Sequence, residues 1–245
     1  MKLDDKVRGW AEEMGADFFG VADLSPAHEA ILEQGGPAVA GFPWAISIGI
    51  VLPHAIVDQL PQRADRTVSM MYRHHAYEVV NQRLDHIASR LSGVLQRGGY
   101  SALPVAASQN MDEERLCGIF SHKMAAHLAG LGWIGKSCLL VTPEVGPRVR
   151  WATVLTDAPL KVTGEPMEER CGHCQQCVES CPPRAFTGQP FREGEPRDAR
   201  FAAHKCQEYL VGMKEATGLR TCGLCLYICP YGRGKRRAIG NAVTD

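Results

Sequence analysis

Residues 171–182 read Cys171-Gly-His-Cys174-Gln-Gln-Cys177-Val-Glu-Ser-Cys181-Pro182, and this stretch sets the reading of the whole chain. A second group follows it: Cys206, then Cys222, Cys225 and Cys229, with Pro230 behind. Thiolates are the ligands of iron–sulfur clusters, and C-x-x-C-x-x-C-x-x-x-C-P is the run by which bacterial two-cluster ferredoxins hold theirs. Three cysteines spaced by three close a loop round three corners of one cubane. The chain has left that cube when the cysteine before proline arrives, so this fourth thiolate serves the other cluster. The spacing therefore predicts crossed wiring. One [4Fe–4S] cluster takes Cys171, Cys174, Cys177 and Cys229; the second takes Cys181, Cys206, Cys222 and Cys225.

Two other uses of cysteine compete with this reading. Ten cysteines are an even number, which disulfides need. However, the first ten residues carry charges and no apolar signal core, and the chain is long enough to build a core without staples. Paired C-x-x-C motifs also make four-thiolate zinc sites. Zinc leaves the third cysteine at the same spacing, and both C-x-x-x-C-P endings, without a purpose.

Composition agrees with an ordinary globular protein. Of 245 residues, 45 % are hydrophobic and the formal net charge is zero, which argues against a surface built wholly for nucleic acid. The longest apolar stretch, Trp44 to Pro53, is too short to cross a bilayer, so no membrane partner is expected. Cluster ligands imply a reducing, cytoplasmic setting.

Upstream of the cysteines the pattern alternates helix and strand. Leu3 to Met14 reads as an amphipathic helix ended by Gly15, and Phe18 to Ala22 as a short strand. Ser25-Pro26 opens a helix that Gly35-Gly36-Pro37 stops. Ala45 to Leu52 is the apolar run of a strand buried on both faces. Thr67 to Gln96 has helical periodicity throughout, through Tyr77, Val80, Leu84, Ile87, Leu91 and Leu95. A strand at Tyr100 to Ala107, a helix at Ser121 to Ala129, and strands at Cys138 to Thr142 and Val149 to Thr156 follow. Asp157 to Met167 carries proline and glycine and reads as a linker. The expected fold class is α/β (α+β): a core over residues 1–160, then a ferredoxin-like domain with two [4Fe–4S] clusters over residues 161–245. The second part is poor in apolar residues, so its clusters supply much of its folding energy.

Gly130-Leu-Gly132-Trp133-Ile-Gly135 fits G-x-G-x-x-G, but a dinucleotide fingerprint follows a strand and opens a helix. Here the predicted order is reversed. The glycines instead cap a helix and let backbone approach something flat or bulky. Lys136, next in line, is either a contact for a phosphate or carboxylate of a cofactor or a solvated charge. His74 and His75 point about 100° apart on a helix and do not share a metal. Cys117 and Cys138 stand outside both groups and read as packing residues. The basic run Arg233-Gly-Lys235-Arg236-Arg237 suits an acidic donor, a nucleic acid or plain solubility.

The segments Ala129 to Lys136, Leu139 to Arg150 and Leu155 to Leu160, followed in order by the two cysteine groups, resemble the superfamily of epoxyqueuosine reductases and corrinoid reductive dehalogenases. The resemblance runs from about Tyr72 to Tyr231 and is weaker before that. It implies a nitroreductase-like α/β core holding a cobalamin, with the two clusters feeding it electrons. It places Gly130, Gly132, Trp133, Gly135, Lys136 and Arg148 near the corrinoid, and puts the cluster that includes Cys181 closer to it. Two features depart from the family. The acidic proton donor of the epoxyqueuosine reductases falls at Leu116 to Ile119 here, where no aspartate stands, and no tyrosine motif of the dehalogenase kind is found. Nearby candidates for the proton donor are Asp112, Glu113 and Glu114, with Tyr72 and Tyr77 on the long helix. The expected activity is thus a reductase passing electrons from a low-potential ferredoxin or flavodoxin, through two clusters, to a corrinoid and on to a small or tRNA substrate. The rival activities are a ferredoxin-type electron-transfer protein and a reductive activator of a separate corrinoid protein.

The wiring gives the first prediction. Anaerobically purified protein carries about eight irons, and Cys181→Ala perturbs the same paramagnetic signal as Cys225→Ala, while Cys229→Ala perturbs that of Cys174→Ala. About four irons, stoichiometric zinc, or a Cys181→Ala spectrum matching that of Cys174→Ala refutes the scheme.

Overall fold

The computed structural model describes residues 2–108, 112 and 114–233. These divide into two compact units, each drawn from separated parts of the chain. The first takes the residues up to Ile50, His74–Leu131 and Arg150–Glu168; the second takes Val51–Arg73, Gly132–Val149 and the residues from Glu169 on. A single cut after residue 160 does not describe this. Two segments upstream of it belong with the cysteines, and residues 161–168 belong with the first unit.

The first unit is built on a four-stranded sheet of β1 (Phe18–Asp23), β2 (Trp44–Val51), β3 (Ala102–Val105) and β4 (Val149–Thr156). The spatial order is β1-β2-β4-β3. β1 runs antiparallel to β2 with Phe18 opposite Gly49, and β3 antiparallel to β4 with Ala102 opposite Thr156. β2 and β4 are therefore central. Their residues Ala45, Ile46, Ile48, Ala152, Val154 and Leu155 are buried, which is why both read as unbroken apolar runs. One cluster of the core joins Ala22, Ala45 and Leu155 of the sheet to Ile31 of helix His28–Gly35 and to Ala125 and Leu128 of helix His122–Leu128. The longest helix, Val80–Arg97, buries Val80, Leu84, Ile87, Leu91 and Leu95 at three- and four-residue steps. Each such leucine contributes about 1.5–3 kcal/mol by leaving water.

That helix is not the uniform element its periodicity predicts. Arg66–Arg73 is α-helical, His74–Val79 forms a π-helical segment, and α-helix resumes at Val80. The apolar spacing from Tyr77 to Val80 to Leu84 stays at three and four, so the inserted residue leaves no mark in the pattern. The predicted linker also differs. Ala158 and Leu160 are fully buried, and the Thr163 hydroxyl donates to Ala129 O at 3.1 Å while its oxygen accepts from Val21 N–H at 3.0 Å. Proline and glycine there shape a strap against the core.

The second unit contains a short hairpin, Trp133–Ile134 against Leu140–Val141, and the helix Ala203–Thr217. Otherwise it consists of loops and single helical turns. Cys138 to Thr142 is thus a two-residue strand paired with the hairpin, and it has no place in the four-stranded sheet. Among the described residues no helix is long and apolar enough to cross a membrane.

Two glycines of the first unit separate backbone strain from crowding. Gly99 has φ +88° and open space where a Cβ would go; Gly130 has φ +75° and a Cβ there would lie 2.9 Å from the Glu165 carbonyl oxygen. Gly99→Ala is expected to lower the unfolding free energy by about 1–2 kcal/mol, the cost of the left-handed backbone. Gly130→Ala is expected to lose more, because backbone must also move. Equal losses in urea titrations would dismiss the packing argument.

Candidate iron–sulfur site

The eight cysteines sit on short, tightly closed pieces of chain. The Cys174 N–H donates to Cys171 O at 2.9 Å, closing the first loop. Cys177 lies in the single turn Gln176–Glu179, and Cys181 follows it. Cys206 is on the helix Ala203–Thr217, Cys225 is in the turn Leu224–Tyr227, and Cys229 precedes Pro230–Arg233. Gly223, between Cys222 and Cys225, has φ +71°, and a Cβ there would meet Leu60 and Tyr72. The segment from Val51 to Arg73 thus backs the second cysteine group.

The thiols act on one another in two sets. Burial pushes Cys177 up to about 12, and Cys171, Cys229 and Cys174 add to the push in that order. Burial likewise pushes Cys206 up to about 11, with Cys222 and Cys181 behind it. Cys225 is raised by burial first, then by Cys222, Cys206 and Cys181, with Cys177 last. The structure therefore brings Cys229 together with Cys171, Cys174 and Cys177, and Cys181 together with Cys206, Cys222 and Cys225. Cys117 and Cys138 join neither set; Cys138 is buried and Cys117 partly so.

Crowded thiols such as Cys177, Cys206 and Cys225 resist ionisation by themselves, and iron supplies the charge that makes thiolate the stable form. The surrounding donors fit that charge. The Trp133 indole N–H, the Arg148 Nε–H and the Thr221 hydroxyl are buried without a hydrogen-bond partner. Trp133 lies where it favours the ionised Cys171 sulfur, and Arg148 where it favours that of Cys229. The Ala185 N–H donates to Cys181 Sγ at 3.3 Å. Buried donors of this kind are rare unless an acceptor completes them.

The residues that the resemblance gives to a corrinoid are engaged within their own units. Gly130 is closed off by Gly164 and Glu165, and Gly132 by Val141; at Gly135 a Cβ would meet Val141 and come within 3.4 Å of Cys171 Sγ. The bulky neighbour that these glycines admit is the protein's own chain. Trp133 is buried, with Tyr231 edge-on at 4.7 Å and the Arg170 guanidinium 5.6 Å above its ring. The Lys136 ammonium donates to Gly172 O at 2.6 Å and Cys174 O at 3.3 Å, so it is no solvated charge. Arg148 pairs with Asp58 at 2.8 Å and contacts His54 Nδ1 at 2.8 Å.

Of the candidate proton donors, Asp112 and Tyr77 belong to the first unit and Tyr72 to the second. Asp112 bridges to Cys117, and its carboxylate accepts the Arg115 N–H at 2.6 Å, so it caps its own turn. Glu113 lies outside the described residues. Tyr77, in the π-helical segment, has the Arg150 guanidinium 4.4 Å from its ring centre. Tyr72 is buried beneath Gly223.

One polar group in the first unit was missed in the sequence. His122 follows Ser121 at the start of its helix and carries no motif around it. Its Nε2–H donates to Ala106 O at 2.9 Å, because a carbonyl can only accept. Its Nδ1 then accepts from the Thr153 hydroxyl at 2.8 Å. Burial lowers its pKa to about 4; Arg150 adds to this, while the Ala106 carbonyl and Asp85 oppose it.

Comparison with known proteins agrees with this arrangement. Residues 170–232 match the model of the 4Fe–4S double cluster binding domain, and the chain accordingly carries two [4Fe–4S] clusters as its cofactors. The chain is 26 % identical to the epoxyqueuosine reductase of Aliivibrio fischeri over 95 % of its own length and 67 % of that protein. It is 28 % identical to that of Pseudomonas aeruginosa, over 96 % of this chain and 70 % of the relative. With the Listeria monocytogenes reductase the identity is 34 %, over 48 % of this chain and 31 % of the relative. A catabolic reductive dehalogenase in complex with 3-bromo-4-hydroxybenzoic acid shares the fold at TM-score 0.69 and 22 % identity, over 93 % of this chain and 31 % of that one. An epoxyqueuosine reductase with an epoxyqueuosine-modified tRNA-Tyr stem loop does so at TM-score 0.61 and 18 % identity, over 97 % of this chain and 67 % of that one. The chain spans about a third of the dehalogenase and of the Listeria reductase, and about two thirds of the other reductases. The resemblance to epoxyqueuosine reductases is thus found in sequence and fold, and that to reductive dehalogenases in fold.

His122 yields a pH prediction. Its pKa falls from 6.5 when unfolded to about 4 when folded. The unfolded chain therefore binds the extra proton between those values, and stability is full above pH 6.5 and lost as pH falls toward 4. Between pH 7 and pH 5 the loss is about 2 kcal/mol. The variant His122→Gln should lack that component of the slope in urea unfolding, and an unchanged slope would remove His122 from the account.

Proposed function

We propose that this chain is an iron–sulfur reductase in which Cys171, Cys174, Cys177 and Cys229 hold one [4Fe–4S] cluster, and Cys181, Cys206, Cys222 and Cys225 the other, and that the pair delivers single electrons to a corrinoid. The observation that carries the reading is the division of eight partly buried thiols into two mutually interacting sets of four. A lone ferredoxin-type site needs no such companion fold; here it comes with a chain similar throughout to reductases, and with the fold of a protein described as carrying out B12-dependent dehalogenation. A low-potential ferredoxin or flavodoxin supplies the electrons in this reading, and a modified nucleoside in tRNA, which the reductase relatives act on by name, is the substrate class.

The protein's part is to hold, insulate and pass charge. The loops keep each set of thiols converged, and the buried donors at Trp133, Arg148 and Thr221 stabilise the anionic clusters. A corrinoid, when bound, supplies a metal centre that takes up electrons one at a time. The contacts implied for it at Trp133, Lys136 and Arg148 are no part of this proposal, because those side chains are engaged at the cysteine loops. The absence of an acid at Leu116 favours a second reading, in which the chain reduces or activates a corrinoid held by another protein.

The two readings part in one experiment. Anaerobically purified protein mixed with cobalamin is expected to retain the corrinoid on gel filtration and to shift its absorption spectrum. Neither retention nor shift would overturn the corrinoid reading and leave the second one.

A further inference from the structure

Lys136 is the most unusual charge in the second unit. It is 6 % exposed, yet its ammonium reaches only two carbonyl oxygens, those of Gly172 and Cys174. Among the described residues no carboxylate stands within ion-pair reach of it. A buried ammonium held only by neutral dipoles is costly unless an anion lies close. The two carbonyls it grips belong to the loop of Cys171 and Cys174, and its own backbone N–H favours the ionised Cys171 sulfur. So does the indole N–H of Trp133, three residues back, which is otherwise without a partner. The segment from Trp133 to Lys136 is a cradle for one cysteine set.

The other charges near that set partly cancel. Arg148, 1 % exposed, favours the ionised Cys229 sulfur but is already paired with Asp58. Glu169 accepts the Cys171 N–H at 2.9 Å and disfavours ionisation of that thiol, while Arg170 lies across Trp133. Lys136 remains as the uncompensated positive charge. The second set has no buried cation without a carboxylate partner: Arg200, 5 % exposed, stands 3.7 Å from Glu195. The cations beside it in sequence, Arg184, Lys205 and Arg220, are all exposed, where water screens them. Backbone N–H donors serve both sets, from Ala185, Arg184 and Phe186 to Cys181 and from Tyr231 and Gly232 to Cys229, so the buried cation and the indole are what set the first apart.

We infer that Lys136 and the Trp133 indole hold the cluster of Cys171, Cys174, Cys177 and Cys229 at a higher reduction potential than its neighbour, so that electrons run from the Cys181 set to the Cys171 set. The step is one electron: the cluster of Cys181, Cys206, Cys222 and Cys225 is oxidised as the other is reduced. Reduction adds a negative charge to a four-thiolate cluster. N–H donors to sulfur favour the reduced form at both sets, and a buried cation favours it further at the one it faces. The acceptor is then served by the Cys171 set, the reverse of the order that the family resemblance implies. This inference rests on the two-cluster assignment and not on the corrinoid.

The test is a redox titration of the anaerobic protein followed by paramagnetic resonance, without cobalamin. The two signals are assigned through Cys174→Ser and Cys225→Ser. The signal altered by Cys174→Ser is expected to titrate at the higher potential. Lys136→Gln should lower that potential and leave the other in place, shifting the electron distribution at least tenfold toward the Cys181 set, which is about 59 mV for one electron. Lys136→Arg, which keeps the charge, should restore it. Trp133→Phe, which keeps the ring and removes the N–H, should lower the same potential by a smaller step. If Lys136→Gln fails to load iron, the wild-type order and Trp133→Phe still decide. A higher potential for the Cys225 signal, or equal shifts of both signals, overturns the inference, whereas loss of one cluster in the wild type overturns the assignment beneath it.

Discussion

Everything in the second unit depends on keeping buried sulfur charged. The eight thiols are gathered so closely that Cys177, Cys206 and Cys225 are made harder to ionise by their neighbours, and burial works in the same direction. Only metal reverses that balance, since a coordinated thiol is deprotonated outright. The unit has few other means of holding itself together. Its helices at Gln176–Glu179, Leu224–Tyr227 and Pro230–Arg233 are single turns, too short to persist alone. In the proposed assignment the crossed sets of thiols make each cluster a link between distant parts of the chain, which is the kind of closure that stabilises small metallodomains.

The same demand explains why the unit recruits chain from far upstream. Cysteine loops present backbone and need a rigid backing. Leu60 and Tyr72 close against Gly223, Asp58 and His54 hold Arg148 behind Cys229, and the turn from Trp133 to Lys136 wraps Cys171. Glycine makes room for the close approach, whether of backbone or of a side chain. At Gly146 a Cβ would meet Tyr231 and Gly232, and at Gly232 it would meet Arg148. Single-residue gaps of this kind make a loose run of loops into a defined site.

The sequence was most legible where one local rule acts alone. The central strand at Trp44–Val51 and the helix at Leu3–Glu13 follow from apolar periodicity within a few residues. The cysteine groups follow from ligand spacing. It was least legible where the outcome depends on a distant partner. Nothing in Val51–Arg73 says that it leaves the sheet unit for the cysteines, because Leu60 and Tyr72 would be apolar in either place. Lys136 could not be told from a solvated lysine until the carbonyls of Gly172 and Cys174 were seen to meet it. The strap from Asp157 to Met167 has the composition of a linker, and only Ala158, Leu160 and Thr163 in place show that it is packed.

Strained backbone points to the same places. Among the described residues three non-glycine positions have positive φ: Leu116 at +51°, Cys138 at +55° and Arg184 at +48°. Each costs about 1–2 kcal/mol for an L-residue, and such strain persists only where surrounding contacts over-determine it. At Arg184 the reason is plain. The turn returns its N–H to Cys181 O at 2.9 Å and delivers the next N–H, that of Ala185, to Cys181 Sγ. At Cys138 the strained turn gives its N–H to Gly135 O at 2.8 Å, closing the bend that carries Lys136. Two of the three thus shape the chain around sulfur, one for each set of thiols. Leu116 lies between Asp112 and Cys117, which bridge across it in the turn that the resemblance aligns with the proton donor of the reductases. The strained turn is present there and the acid is not, so whatever the turn positions in this chain, it is not a carboxylate at Leu116.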